Sequence, residues 1–148
     1  MIILRPYEAG DIRAIEPREY EKKFIDLFGY EFMEIRCKPE WSFTTMKDGK
    51  QIAVGGIWIY WQGMAEVFLW LSPEVVKYPI YVCEAISIGL ESLIKQYKLR
   101  RVQTVIDANL PINIRFCEFF GFRFESRLTA YDPWGNDGLM YVRFDGVT

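Results

Sequence analysis

The chain contains no histidine. That removes Ser-His-Asp and Cys-His nucleophile systems and most zinc sites. Acid–base chemistry must then come from Asp, Glu, Tyr, Cys, Lys, the backbone or water. Cysteine is scarce. Cys37, Cys83 and Cys117 are an odd number with no CxxC spacing, so they read as reduced, mostly buried thiols and cannot build a four-ligand metal site. Positive charge is not in excess: 18 Lys and Arg face 20 Asp and Glu, a formal net charge of −2. There is no basic stripe, and Arg100-Arg101 reads as a helix end, where cations favour the carbonyl dipole. This argues against a nucleic-acid partner. No apolar run is long enough to cross a membrane. Met1–Pro6 is too short for a signal peptide and lacks a small-residue cleavage site. These absences lead to an expectation of no membrane and a cytoplasmic location.

What is present is apolar and aromatic. Over 148 residues, 51% are hydrophobic and 17% are aromatic, enough for a single domain, 1–148, with one large core. Ile2–Arg5 reads as a strand stopped by Pro6. A short helix near Asp11–Ile15 follows, then a second after Pro17 that puts Tyr20, Phe24, Leu27 and Phe28 on one face before Gly29. Residues 30–40 fit either a helix or a loop, broken at Pro39. Trp41–Met46 and Gln51–Tyr60 read as strands joined by Lys47-Asp48-Gly49-Lys50, an Asp-Gly hairpin turn. Gly55-Gly56 suggests a bulge or a close backbone approach. A second tight turn at Trp61-Gln62-Gly63-Met64 leads into the strand Ala65–Leu71 and a Ser-Pro loop. The helix Pro79–Tyr97 carries an apolar stripe of Cys83, Ile86, Leu90, Leu93, Ile94 and Tyr97. The strand Arg101–Asp107, a helix Asn113–Phe120, a strand Phe122–Tyr131, a long turn and a last strand Leu139–Phe144 complete the chain. The order predicts an α/β fold: a mixed sheet of about seven strands flanked by about four helices on both faces. A strand, a crossover helix and a parallel strand open at their carboxyl ends, where ligands bind.

Two segments carry a resemblance. Glu66-Val67-Phe68-Leu69-Trp70-Leu71-Ser72-Pro73-Glu74 resembles the fourth strand and cofactor loop of the GNAT superfamily, the acetyl-CoA-dependent N-acyltransferases. Asn113-Ile114-Arg115-Phe116-Cys117-Glu118-Phe119-Phe120-Gly121-Phe122 resembles that family's helix ending in Gly-Phe. The opening Leu4-Arg5-Pro6-Tyr7-Glu8-Ala9-Gly10-Asp11 is also similar, and the likeness in element order covers nearly the whole chain. More narrowly, the Trp-rich strands and Leu-Ser-Pro followed by Tyr-Pro resemble small GNAT-like proteins of tailed phages and prophages. That would place the protein in a host cytoplasm or a virion.

The resemblance implies acetyl-CoA as cofactor and an amine as acceptor. It implies Glu66 as general base, and Leu69, Trp70 and Leu71 as main-chain partners of the pantetheine arm. Ser72, Lys77 and Tyr78 would contact phosphate. Asn109 and Asn113 are candidate cofactor ligands at the end of the fifth strand. Trp58, Tyr60 and Trp134 are candidates for an acceptor pocket or a protein-partner surface.

The chain departs from the family twice. Its glycine-rich pyrophosphate loop is replaced by Val76-Lys77-Tyr78-Pro79-Ile80-Tyr81, which keeps a helix N-terminus but not the close-approach glycines. The Tyr that many members use to protonate the leaving thiolate is Cys117 here. Two readings follow: an N-acetyltransferase, or a GNAT-fold binding or virion protein without catalysis. A homodimer paired through Leu139–Phe144 is compatible with either.

Overall fold

The computed structural model describes residues 2–146. Seven strands form one mixed sheet in the order β1-β2-β3-β4-β5-β7-β6. They are β1 (Ile2–Pro6), β2 (Ser42–Lys47), β3 (Lys50–Trp61), β4 (Met64–Leu71), β5 (Arg101–Asp107), β6 (Arg123–Leu128) and β7 (Gly138–Phe144). The helices are α1 (Asp11–Ala14), α2 (Glu19–Phe28), α3 (Glu31–Glu34), α4 (Pro79–Tyr97) and α5 (Pro111–Phe119), with a 3-10 turn at Pro73–Lys77. The expected seven-strand α/β architecture is therefore present, with one short helix more than expected. The fold gathers into two compact units. The first holds the chain up to Trp58 together with Phe68–Gln96, and the second holds Ile59–Val67 together with Tyr97 onward.

In the first unit β1, β2 and β3 form an antiparallel run. Asp48 (φ 49°) and Gly49 (φ 82°) make the tight turn between β2 and β3, the left-handed pair that a two-residue hairpin requires. Side chains alternate across the strands. One face carries Val54 and Trp70 against Tyr7, Ile12, Ile15 and Cys37. Complete burial of an aliphatic side chain such as Ile12 or Val54 contributes about 1.5–3 kcal/mol. On the other face, the Phe43 ring lies 3.1 Å from where a Cβ on Gly89 would sit, so α4 packs closely there. This contact turns the helix. Its buried residues are Val82, Ala85, Gly89, Leu90, Leu93 and Ile94, while Cys83, Ile86 and Tyr97 of the expected stripe are only half-buried.

The two glycines of β3 serve close approach rather than a bulge. The bulge lies earlier, where Thr45 pairs with Ala53 and Met46 with Gln51, leaving Ile52 as the extra residue. A Cβ on Gly56 would sit 2.5 Å from the Trp41 carbonyl oxygen, 2.6 Å from Ser42 Oγ and 2.9 Å from Phe68 Cζ. Backbone cannot turn aside as a side chain can. Gly56→Ala should therefore cost about 2 kcal/mol. Gly55→Ala should cost less, because the nearest atom is Leu69 Cδ1 at 3.1 Å. Urea unfolding midpoints of the two variants check the ranking.

In the second unit β4 and β5 pair in parallel, Met64–Glu66 with Arg101–Gln103. β7 pairs with β5 along its whole length and with β6 on its other side. From Gly138 to Val142 both of its edges are paired within the chain, so this stretch offers no free strand edge to a second copy. β6 stops at Leu128, short of the expected Tyr131. Beyond it Ala130 adopts a left-handed φ of 50°, and its N–H donates to Asp137 Oδ1. Arg127 Nε donates to Asp137 Oδ2 at 2.7 Å, fixing the start of the long turn. α5 begins at Pro111, two residues before the expected Asn113, with proline in its first turn.

Candidate functional site

β4 leads directly into the 3-10 turn and α4, and the local sequence accounts for each step. Ser72 caps the turn by accepting a hydrogen bond from the Glu74 N–H (3.1 Å), with Pro73 in the first turn. Ser72 is completely buried and its hydroxyl acts as this cap, so it is not placed for the expected phosphate contact. Pro79 then opens α4, and the Val82 N–H donates to the Tyr78 carbonyl at 2.9 Å. A helix start presents N–H groups that favour an anion. Lys77 is exposed beside it. The Lys47 ammonium lies 5.1 Å from the centre of the Tyr78 ring, and Lys50 pairs with Glu74 at 3.1 Å. The β2–β3 hairpin thus delivers two lysines to the segment that precedes α4. Lys47 was not legible as a site residue, because 31 positions of sequence separate it from Tyr78.

The backbone donors at the end of β4 and just beyond it alternate in direction. The Ser72 N–H points toward β3 and donates to the Ile52 carbonyl at 2.9 Å. The Leu71 N–H points the other way, and Glu21 Oε1 lies 3.5 Å from it. Glu21 is only 2% exposed and is paired with Arg18, whose Nε donates to both of its carboxylate oxygens at 2.9 Å and whose Nη2 makes a further close contact with Oε1. A buried carboxylate needs such a partner. Glu21 was missed in the sequence because it reads as an ordinary polar residue of an amphipathic helix. Of the expected main-chain partners, Leu69 is half-buried, and Trp70 and Leu71 are buried. Trp58 is half-buried, at the end of the first unit, against Trp41.

In the second unit the fold brings two expected residues together. The Tyr60 hydroxyl donates to Glu66 Oε2 at 2.6 Å, a short hydrogen bond to a carboxylate. Tyr60 is exposed and Glu66 half-buried, so the pair is accessible. Asn109 serves the turn after β5. Its N–H donates to Asp107 Oδ1 at 2.8 Å and its amide to Asn136 Oδ1 at 3.4 Å. Asn136 in turn donates to Asp132, from its backbone N–H (2.7 Å) and from its side chain (3.0 Å). Asn113 is half-buried in the first turn of α5. Trp134 is 42% exposed, on a loop fixed by its N–H bond to Asp132 Oδ1 at 3.0 Å. Cys117 is half-buried, and burial, with Glu118 adding to it, pushes its thiol up to about 11. Such a thiol gives up its proton far less readily than an ordinary one near 8.5, so the acid expected at this position is a poor one. Among the described residues no group of His, Cys, Asp and Glu could hold a metal ion. Nor, among the described residues, is any helix long and apolar enough to cross a membrane.

No family model matches the chain, and no curated protein sequence matches it. Solved structures do match, over nearly its full length. The GNAT-family acetyltransferase from Bacillus anthracis superposes with a TM-score of 0.73 at 17% identity, covering 97% of this chain and 94% of that one. The ribosomal-protein-S18-alanine N-acetyltransferase from Escherichia coli does so with a TM-score of 0.75 at 14% identity, covering 100% and 96%. Ard1 from Thermoplasma volcanium gives 0.77 at 18% identity, covering 97% of each. At these identities the likeness establishes the fold, which is that of the GNAT acetyltransferases.

Proposed function

We propose that this chain is an N-acetyltransferase that moves an acetyl group from acetyl-CoA to an amine. The observation that carries the reading is the Tyr60–Glu66 pair, which joins β3 to β4, the strand that runs into the 3-10 turn and α4. Acetyl-CoA supplies the activated thioester. Glu66 takes the proton from the attacking amine, directly or through a water, while Tyr60 holds the carboxylate in place. The amine nitrogen bonds to the acetyl carbon, the C–S bond breaks, and the departing thiolate takes its proton from water rather than from Cys117. Leu69, Trp70 and Leu71 offer main-chain groups to the pantetheine arm. Lys77, Lys47 and the start of α4 supply positive potential for the pyrophosphate in place of a glycine cradle. Asn113, Trp134 and Trp58 remain candidates for ligand contact.

The test is thermal unfolding with CoA. At a hundred times Kd a ligand that binds only the folded state adds about 2.7 kcal/mol, several degrees of melting temperature in a domain of this size. No shift at millimolar CoA would overturn the reading.

A second reading, a GNAT-fold binding or virion protein that has lost the cofactor and with it catalysis, is favoured by one contact. The Glu21 carboxylate meets the Leu71 N–H on the side of β4 where the pantetheine arm would be offered main-chain partners. The sequence likeness to small phage-encoded proteins suits that reading. Native mass spectrometry separates the two, since CoA that co-purifies with the protein excludes the second.

A further inference from the structure

We propose that Trp41 and Trp58 form a recognition site for a small organic cation of the alkylammonium type, and that the Lys38 ammonium is its resident, displaceable occupant. The site is built by local sequence. Lys38-Pro39-Glu40-Trp41 is a turn in which the Trp41 N–H donates to the Lys38 carbonyl at 2.9 Å, and proline at its second position presets the backbone. The turn holds Lys38 and Trp41 side by side. The Trp41 carbonyl then accepts from the Ile57 N–H at 2.9 Å, which fixes Trp41 beside the Trp58 strand position. Gly56 permits that approach, because any Cβ there would strike the Trp41 carbonyl.

The two indoles stand at 87° with their centres 5.7 Å apart, a two-walled corner. Lys38 Nζ lies 4.5 Å from the Trp41 ring centre and 5.1 Å from that of Trp58. Both distances are within the range of cation–π attraction, for which tryptophan is the strongest partner. All three residues are half-buried, which strengthens the attraction over that at a fully wetted surface. Among the described residues Lys38 has no carboxylate partner, so its charge is met by the π faces alone. With no carboxylate paired to Lys38, the corner favours a weakly hydrated organic cation over a metal ion. The present occupant sits on a flexible four-carbon stem, and its residue lies outside regular secondary structure, between α3 and β2. It can leave without unfolding anything.

Choline and its uncharged isostere 3,3-dimethyl-1-butanol are the probes, titrated against tryptophan fluorescence. Removing the occupant in Lys38→Ala should tighten choline binding by about tenfold over the unsubstituted protein, the magnitude of about 1.4 kcal/mol that one or two cation–π contacts supply. The neutral isostere should show no such gain, and adding Trp58→Leu should abolish it. Choline binding no tighter in Lys38→Ala, or an equal gain for the neutral isostere, overturns the proposal. Lys38→Gln, which keeps most of the stem without the charge, supplies the same reading should Lys38→Ala fail to fold. The titration needs no CoA, so its outcome is independent of the acetyltransferase reading.

Discussion

Asp11→Ala is expected to lower the unfolding free energy by about 3–5 kcal/mol, the range for removing one partner of a buried ion pair. Asp11 is 2% exposed, at the start of α1. Its carboxylate accepts two hydrogen bonds from Arg5 of β1, at 2.8 and 2.9 Å. It also accepts from Thr44 of β2 at 2.6 Å, Gln51 of β3 at 3.1 Å and the Glu8 N–H at 2.8 Å. One side chain thus ties α1 to three strands of the first unit. Alanine would leave the Arg5 guanidinium and the buried Thr44 hydroxyl without this partner. Burial alone would raise the carboxyl's pKa, but the bonds from Arg5, Thr44, the Glu8 N–H and Gln51 outweigh it and hold the group well below the usual carboxylate range. A carboxylate depressed in the folded state contributes stability that is present above its unfolded pKa of about 3.9 and is lost as pH falls toward the folded value. Asp11→Asn should therefore be less stable at pH 7 and also lose stability less steeply between about pH 4 and pH 2. Urea unfolding across that range checks both statements. An unchanged slope would show that Asp11 does not titrate as the geometry requires.

What the sequence made legible follows from how local each feature is. The bounds of α4 and β5 could be read as they stand, because Pro79 opens the helix and a cluster of cationic residues closes it before an apolar β-branched run. The Asp48-Gly49 hairpin was equally local. The expected face of α4 holds at Leu90, Leu93 and Ile94, but in its first half it is turned by one position, to Val82 and Ala85. Cys83 and Ile86 look more apolar than Ala85 and Gly89, yet the small residues are what the Phe43 ring needs. Gly55-Gly56 signals a bulge or a close approach in sequence; the structure shows the close approach there and the bulge at Ile52, since a register shift depends on the partner strand. Asp11 and Glu21 resemble ordinary surface carboxylates in sequence; besides the nearby Arg5 and Arg18, each is held by a partner 33 and 50 residues away respectively. Glu66 is legible through its likeness to the family's fourth strand and Tyr60 as one of many aromatics; their hydrogen bond across the β3–β4 hairpin is visible only in the fold. Cys117 was found by alignment to a family position, but its environment works against the role that position implies.

The acetyltransferase reading has its sharpest consequence at Glu66. With acetyl-CoA and a reactive amine, Glu66→Gln should lower kcat by about a hundredfold, the lower end of what a positioned general base contributes. Glutamine keeps the size and can still accept from the Tyr60 hydroxyl, so the fold and the CoA-induced melting shift should be retained. Tyr60→Phe removes the 2.6 Å bond that holds the carboxylate but leaves the base itself, so it should cost about tenfold, in kcat rather than KM, as expected of a residue that positions another. The split between the two parameters matters, because an exposed strand-end carboxylate with no part in proton transfer would change neither. Cys117→Ser supplies the contrast. If the departing thiolate is protonated by water, this variant should keep kcat within about twofold, whereas a catalytic acid there should cost the hundredfold typical of general catalysis. A Glu66→Gln variant as active as the unsubstituted protein would remove the base from the mechanism. If CoA still shifted the melting temperature, the protein would bind its ligand with the amine proton passing to water rather than to Glu66.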